Sequence, residues 1–178
     1  HRCSVSQRDV KLQNILMKDG HFKFADFRLS AAGTTFTDRC GTATYFAPEQ
    51  RSEGSFGPQV DVCALGVTFY QLLTGAGFKQ EFVTEKRFHA DVETFLKQKG
   101  TPDALLDVLK CMLHYDPKRR DIPTLLQMPW FKDNKDSTKN AAEEASKGET
   151  VREEAIADPV SPEFTARLNK AKEVFGRT

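Results

Sequence analysis

No stretch of this sequence is both apolar and long enough to span a bilayer. Its opening residues, His1-Arg2-Cys3-Ser4, lack the apolar run of a secretory leader. An excess of charge of one sign is also missing. The 26 Lys and Arg against 25 Asp and Glu leave a net charge of +1, which gives no electrostatic reason to expect nucleic acid or an anionic membrane as partner. Cysteine is sparse and unpatterned: Cys3, Cys40, Cys63 and Cys111 form no CxxC pair and no zinc-ligand spacing. A reduced, intracellular protein is the expectation, cytoplasmic first and nuclear second. Cys63 and Cys111 fall in apolar helical patterns and read as small core residues. A length of 178 residues suits one domain or part of one.

Residues 1–131 read as one packed body, mainly α with a short β-hairpin. Asn14-Ile15-Leu16-Met17 is a short apolar run, Asp19-Gly20 is a hairpin turn signal, and His21-Phe22-Lys23-Phe24-Ala25 alternates as a half-buried strand does. The hairpin would bring Asn14 and Asp26 to the outer ends of paired strands, where both can face one ion. Pro58 to Gly75 reads as a helix, with proline in its first turn and glycine as its C-terminal cap. Its residues are apolar nearly all round, which predicts a buried central helix. A further helix opens at Thr101-Pro102-Asp103, with Thr101 as cap, Pro102 at the first helical position and Leu105, Leu109 and Met112 on the buried face.

After Phe131 the composition changes. Residues 132–160 read as a linker with little to bury. Ser161-Pro162-Glu163 then starts a short amphipathic helix over 161–176, with Phe164, Leu168, Ala171 and Phe175 on one stripe. That tail helix either packs back on its own domain or docks on a partner.

The chemistry concentrates between Arg8 and Asp26. Asp9 offers a carboxylate to orient a hydroxyl, and Lys11 offers an ammonium to offset phosphate charge. Asn14 and Asp26 offer hard oxygen ligands that suit magnesium. An isolated loop Asp more often bonds local backbone; here its neighbours supply the other groups a phosphoryl transfer needs. Gln7-Arg8-Asp9-Val10-Lys11-Leu12-Gln13-Asn14 resembles the catalytic loop of eukaryotic-type protein kinases. Asp26-Phe27-Arg28 resembles the metal-binding tripeptide of that family, and Ala47-Pro48-Glu49 its activation-segment end. Asp61-Val62-Cys63-Ala64-Leu65-Gly66 resembles the opening of the helix that anchors the kinase C-lobe, although the family often has Trp where Cys63 stands.

The resemblance implies roles residue by residue. Asp9 would be the catalytic base and Lys11 its cationic partner, with Lys11, Asn14 and Asp26 around Mg-ATP and Asn14 and Asp26 holding the metal. Lys11, together with Thr42 in Cys40-Gly41-Thr42, is similar to the serine/threonine branch, where such a Thr bonds the catalytic Asp and Lys. Glu49 and Arg120 would form a buried bidentate ion pair. In the family, the arginine matching Arg8 grips a phosphate on the activation segment. Here the expected phosphate position is Asp38, a fixed negative charge, with Thr37 as the rival phospho-acceptor and Thr35 behind it.

The pattern is also broken in places. Gln7 stands where the family has His, Leu12-Gln13 where it has Pro-Glu, and Arg28 where it has Gly. Arginine at 28 would restrict the backbone or bring a cation beside the metal site. No Gly-rich loop, Val-Ala-x-Lys strand or partner glutamate is present, so the resemblance covers a kinase C-lobe over residues 1–131. Alone, such a chain is expected to bind ATP poorly for want of the N-lobe of the same product. The resemblance implies transfer of the ATP γ-phosphate to protein Ser/Thr hydroxyls. The rivals are a pseudokinase or interaction module, and a small-molecule kinase sharing the fold. Within the family, Cys40-Gly41-Thr42 and Ala64-Leu65-Gly66-Val67 resemble the cyclic-nucleotide-dependent and calmodulin-dependent groups.

Overall fold

The computed structural model describes residues 5–18, 21–78 and 88–133. Two compact units divide the chain: residues 1–11 with 26–132 form one, and the other includes residues 12–25.

The smaller described unit is a hairpin. A 3₁₀ turn, Leu12–Asn14, leads into β2 (Ile15–Lys18), which pairs antiparallel with β3 (His21–Phe24), Lys18 lying opposite His21. The Ala25 N–H donates to the Asn14 carbonyl at 2.8 Å, closing the open end of the ladder. The expected half-buried alternation is not found. Phe22, Lys23 and Phe24 are all exposed, so both faces of this strand meet solvent. Phe22 and Phe24 stand opposite Met17 and Ile15 and gain cross-strand contact instead of core burial.

In the larger unit a second strand pair joins β1 (Val5–Ser6) to β4 (Ala31–Ala32), antiparallel. Two-residue strands carry no periodic signal, and the sequence gives no hint of this pair. Helix α1 (Pro48–Arg51) starts on a proline, and the Gln50 side chain reaches back to accept the Ala47 N–H at 2.9 Å. Helix α2 (Gln59–Thr74) ends at Gly75 in the left-handed conformation, φ 66°, whose N–H donates to the Gln71 carbonyl.

The apolar circumference of α2 is used on two sides. Val60, Cys63, Val67 and Tyr70 join one core with Leu96 of α3 (Glu93–Gln98) and Leu106 and Leu109 of α4 (Asp103–Met112). Val62 joins a second core with Val108, Met112 and Leu125 of α5 (Ile122–Leu125). Each such Leu or Val side chain contributes about 1.5–3 kcal/mol by leaving water. Among the described residues, no helix is long and apolar enough to cross a membrane.

The start of α4 differs from the expectation. Pro102, not Thr101, is the capping residue: its ψ of 142° is extended, and its carbonyl accepts the Leu106 N–H at 2.9 Å. Thr101 is buried instead. The buried face centres on Leu106, Val108, Leu109 and Met112, and Leu105 is only partly covered. Cys111 is likewise half-exposed, its thiol donating to the Arg119 carbonyl at 2.7 Å, while Cys63 is fully buried as expected. Helix α6 (Pro129–Asp133) runs slightly past Phe131. The rest of the 132–160 linker and the 161–176 tail helix, with its docking role, lie outside the described residues.

Gly66 permits the approach of α2 to α4. A Cβ added there would stand 2.8 Å from Leu113 Cγ and 3.0 Å from Met112 Cβ. Gly66→Ala is therefore expected to destabilise the fold by about 1–3 kcal/mol through overpacking. The urea unfolding midpoint measures it. A midpoint equal to or above that of the natural protein would contradict the tight crossing.

Candidate active site

The site is hung from α2. Asp61, in its first turn, is buried and turns its carboxylate towards residues 6–8. Its Oδ2 accepts from Ser6 Oγ at 2.8 Å and from the Gln7 N–H at 2.7 Å, and its Oδ1 accepts the Arg8 N–H at 2.9 Å. A buried carboxylate without such donors would be costly, so the loop and the helix hold each other. Arg8 adopts a left-handed φ of 62°, a conformation that costs a side-chain-bearing residue about 1–3 kcal/mol and is held here by those bonds.

Gln7, at the position where the resemblance expects histidine, bridges two parts of the site. Its Oε1 accepts the Asp9 N–H at 3.0 Å, and its Nε2 donates to the Asp26 carbonyl at 3.2 Å. An amide has one acceptor and one donor end, so it makes both bonds at any pH.

Asp9, Lys11 and Thr42 close a triangle. The Thr42 hydroxyl donates to Asp9 Oδ1 at 2.7 Å and accepts from Lys11 Nζ at 2.9 Å. Lys11 Nζ lies 2.8 Å from Asp9 Oδ2. The Asp9 side chain is only 9% exposed, so the pair works in a partly desolvated setting that strengthens it. Thr42 reaches this place because the chain passes close at Gly41. A Cβ on Gly41, at φ 105°, would fall 2.3 Å from the Arg8 carbonyl oxygen, which only glycine avoids. Against Asp9 lies a small crevice, lined by Arg8, Thr42, Tyr45 and Phe46 and closed behind by the buried Gln50, Val60 and Ala64.

Arg8 faces the other way. Its Nη1 donates to both oxygens of Asp38 at 2.7 Å, and its Nε donates to the Leu29 carbonyl at 2.7 Å. Its guanidinium also lies 5.2 Å from the centre of the Phe36 ring. Arg8 holds the Asp38 carboxyl below the usual carboxylate range, so it is anionic at neutral pH. Thr35 and Thr37 are exposed.

Asp26 adopts a left-handed φ of 58°. Its carboxylate is gripped by Arg28, with Nε to Oδ1 at 2.8 Å and Nη2 to Oδ2 at 2.6 Å. The guanidinium beside it holds the Asp26 carboxyl down to about 2. Residue 28 itself lies outside the left-handed region, so arginine fits there without the backbone conflict expected where glycine is replaced. Asn14 is buried in the hairpin unit, on the 3₁₀ turn before β2. Among the described residues no three His, Cys, Asp or Glu side chains gather into a metal cage. The Asp26 carboxylate and the Asn14 amide oxygen are each, taken singly, hard donors of a kind magnesium accepts.

A family model described as the protein kinase domain matches residues 1–131. The chain belongs to the protein kinase family. It is similar to the hormonally up-regulated neu tumor-associated kinase of Homo sapiens, 32% identical over 148 residues, which cover 75% of this chain and 20% of that protein. It is similar to the serine/threonine-protein kinase akt-1 of Caenorhabditis elegans, 42% identical over 80 residues, 42% of this chain and 15% of the relative. Protein kinase C epsilon type of Oryctolagus cuniculus is 35% identical over 129 residues, 67% of this chain and 17% of the relative. The matched part thus spans 15% to 20% of the length of these kinases.

The ion pair expected between Glu49 and Arg120 is present in this kinase chain, but it is single rather than bidentate. Arg120 Nη2 donates to Glu49 Oε2 at 2.6 Å and also reaches the Tyr115 carbonyl at 3.3 Å. Glu49 Oε1 and Arg120 Nε and Nη1 are buried without a hydrogen-bond partner. Burial pushes the neighbouring Cys63 thiol up to about 11, against the opposing pull of Arg120, so it stays protonated.

Two positioning residues, Asp61 and Gln7, are not singled out by the sequence. Asp61 was legible in principle, because an acid inside an apolar helix needs partners. Gln7 was read only as a departure from the family, and nothing local announced its two bonds.

Proposed function

We propose that this chain is the C-lobe of a serine/threonine protein kinase that moves the γ-phosphate of Mg-ATP to protein hydroxyls. The observation that carries the reading is the closed triangle of Asp9, Lys11 and Thr42. In that reading the hydroxyl of the acceptor's serine or threonine lies against the Asp9 carboxylate. Its hydroxyl oxygen attacks the γ-phosphorus, the bond from that phosphorus to the β-phosphate bridging oxygen breaks, and ADP leaves. Asp9 takes the hydroxyl proton, and Lys11 offsets the charge on the transferring group. Thr42 fixes the spacing of the two. Asn14 and Asp26 would hold magnesium, which supplies charge neutralisation at the phosphates when bound. The glycine-rich loop and adenine grip are assigned to an N-lobe of the same product. The sparse, unpatterned cysteines of the sequence are the basis for assigning it to a reducing, cytoplasmic setting.

The test is transfer of γ-labelled phosphate from Mg-ATP by the full-length product to peptide libraries carrying Ser, Thr or Tyr. Label on Ser and Thr alone is expected. Label on Tyr would refute the acceptor class. Complete absence of transfer would favour the second reading, a non-catalytic pseudokinase, which the engagement of Asp26 by Arg28 supports.

The Arg8–Asp38 pair supports activity without a phosphate on that segment, because a fixed carboxylate already satisfies Arg8. Asp38→Lys, made in a Thr37→Ala background, is expected to lower kcat at least about tenfold, since like charges would then face each other. Unchanged turnover in the double variant would refute this role.

A further inference from the structure

Arg28 is the unusual group at this site. It is 86% exposed, yet it bends back two residues to engage both carboxylate oxygens of Asp26. Its own backbone N–H adds a third contact to Oδ1 at 3.3 Å. The fork of a guanidinium matches a carboxylate edge to edge, which makes this the self-contained alternative to any other cation on Asp26.

We propose that Arg28 is a built-in competitor for the divalent metal at Asp26, so that the natural protein needs more metal than a variant without this cation. The inference rests on the reading of Asp26 as a metal-holding residue. Asp26 would offer magnesium a carboxylate oxygen, and a bidentate guanidinium occupies the same lone pairs. A positive group left beside a divalent ion is also repelled by it. The Arg28 guanidinium lies in solvent, where such contacts are weak and open readily. Arg28 therefore sets a threshold for metal and does not lock the site. No backbone constraint accompanies it, because residue 28 is outside the left-handed region. Salt gives a signature: an exposed ion pair is screened, so the handicap shrinks as ionic strength rises.

The test is a Mn²⁺ titration of the full-length product in the presence of ADP, followed by water-proton relaxation. Arg28→Gly and Arg28→Gln are each expected to lower the half-saturating Mn²⁺ concentration about fivefold at low salt. The difference should close towards about 0.5 M NaCl. Asp26→Asn should abolish the tight binding in the same titration. Equal half-saturation in the natural protein and both Arg28 variants, with binding lost in Asp26→Asn, would overturn the competitor role and leave the metal reading standing. A gain in Arg28→Gly absent from Arg28→Gln would reassign the effect to backbone freedom and overturn the proposal as well. Undiminished binding in Asp26→Asn would overturn both the proposal and the metal reading beneath it.

Discussion

Asp9→Asn is expected to lower kcat about 10²–10⁴-fold, the range that a positioned general base supplies. The KM for peptide and the melting temperature should barely change. Asparagine has nearly the same shape, and its carbonyl oxygen can still accept the Thr42 hydroxyl that now lies 2.7 Å from Asp9 Oδ1. What disappears is the basic oxygen and the negative partner of Lys11, whose ammonium stands 2.8 Å from Asp9 Oδ2. The loop should keep its place, because it is held by backbone bonds from Gln7 and Arg8 to Asp61 rather than by the Asp9 side chain. Steady-state turnover on a serine peptide with Mg-ATP, using the full-length product, measures the loss, and a thermal melt checks the fold. Turnover within about threefold of the natural protein would remove Asp9 from proton transfer.

The largest expected loss of stability is at Glu49. Arg120 is fully buried, and Glu49 Oε2, at 2.6 Å, is its anionic partner. Glu49→Ala would leave the guanidinium with the Tyr115 carbonyl at 3.3 Å and no compensating charge. Stripping one partner from a buried pair costs about 3–5 kcal/mol. Replacing both residues should cost much less, as in Glu49→Leu with Arg120→Met, because three polar atoms of the pair already lack hydrogen bonds. Urea unfolding of Glu49→Ala and of the cycle Glu49→Leu, Arg120→Met and their double variant measures the loss and the coupling. A loss below about 1 kcal/mol for Glu49→Ala, or additive losses in the double variant, would contradict this account of the pair.

Elements with strong local signals were legible from the chain. The central helix was visible because its flanking proline and glycine act through the backbone and its apolar residues leave no polar face. The hairpin was visible through its turn dipeptide, although the exposure of Phe22 and Phe24 was not. Periodicity reports a pattern, and what covers that pattern is a tertiary fact. The same limit hid β1 with β4, whose partners are two residues long and distant in sequence. The start of α4 slipped by one residue because proline fits both the first turn and the cap, and its ψ of 142° decides between them. At the site, motif spacing marked Asp9, Lys11, Asn14 and Asp26. It did not mark the three bonds to Asp61 or the bridge through Gln7, and it marked Arg28 as a cation near Asp26 without its two-point grip, since each depends on side-chain direction.

The central claim is that the Asp9–Lys11–Thr42 triangle is a working phosphoryl-transfer centre. The most direct measurement is a single-turnover reaction of the full-length product with Mg-ATP and a serine peptide, quenched and analysed for phosphopeptide. The account predicts phosphoserine formed in step with ADP, with the added metal required. Bound nucleotide and metal with no phosphopeptide formed would contradict it, and the triangle would then be a structural tie in a kinase-family protein that does not transfer phosphate.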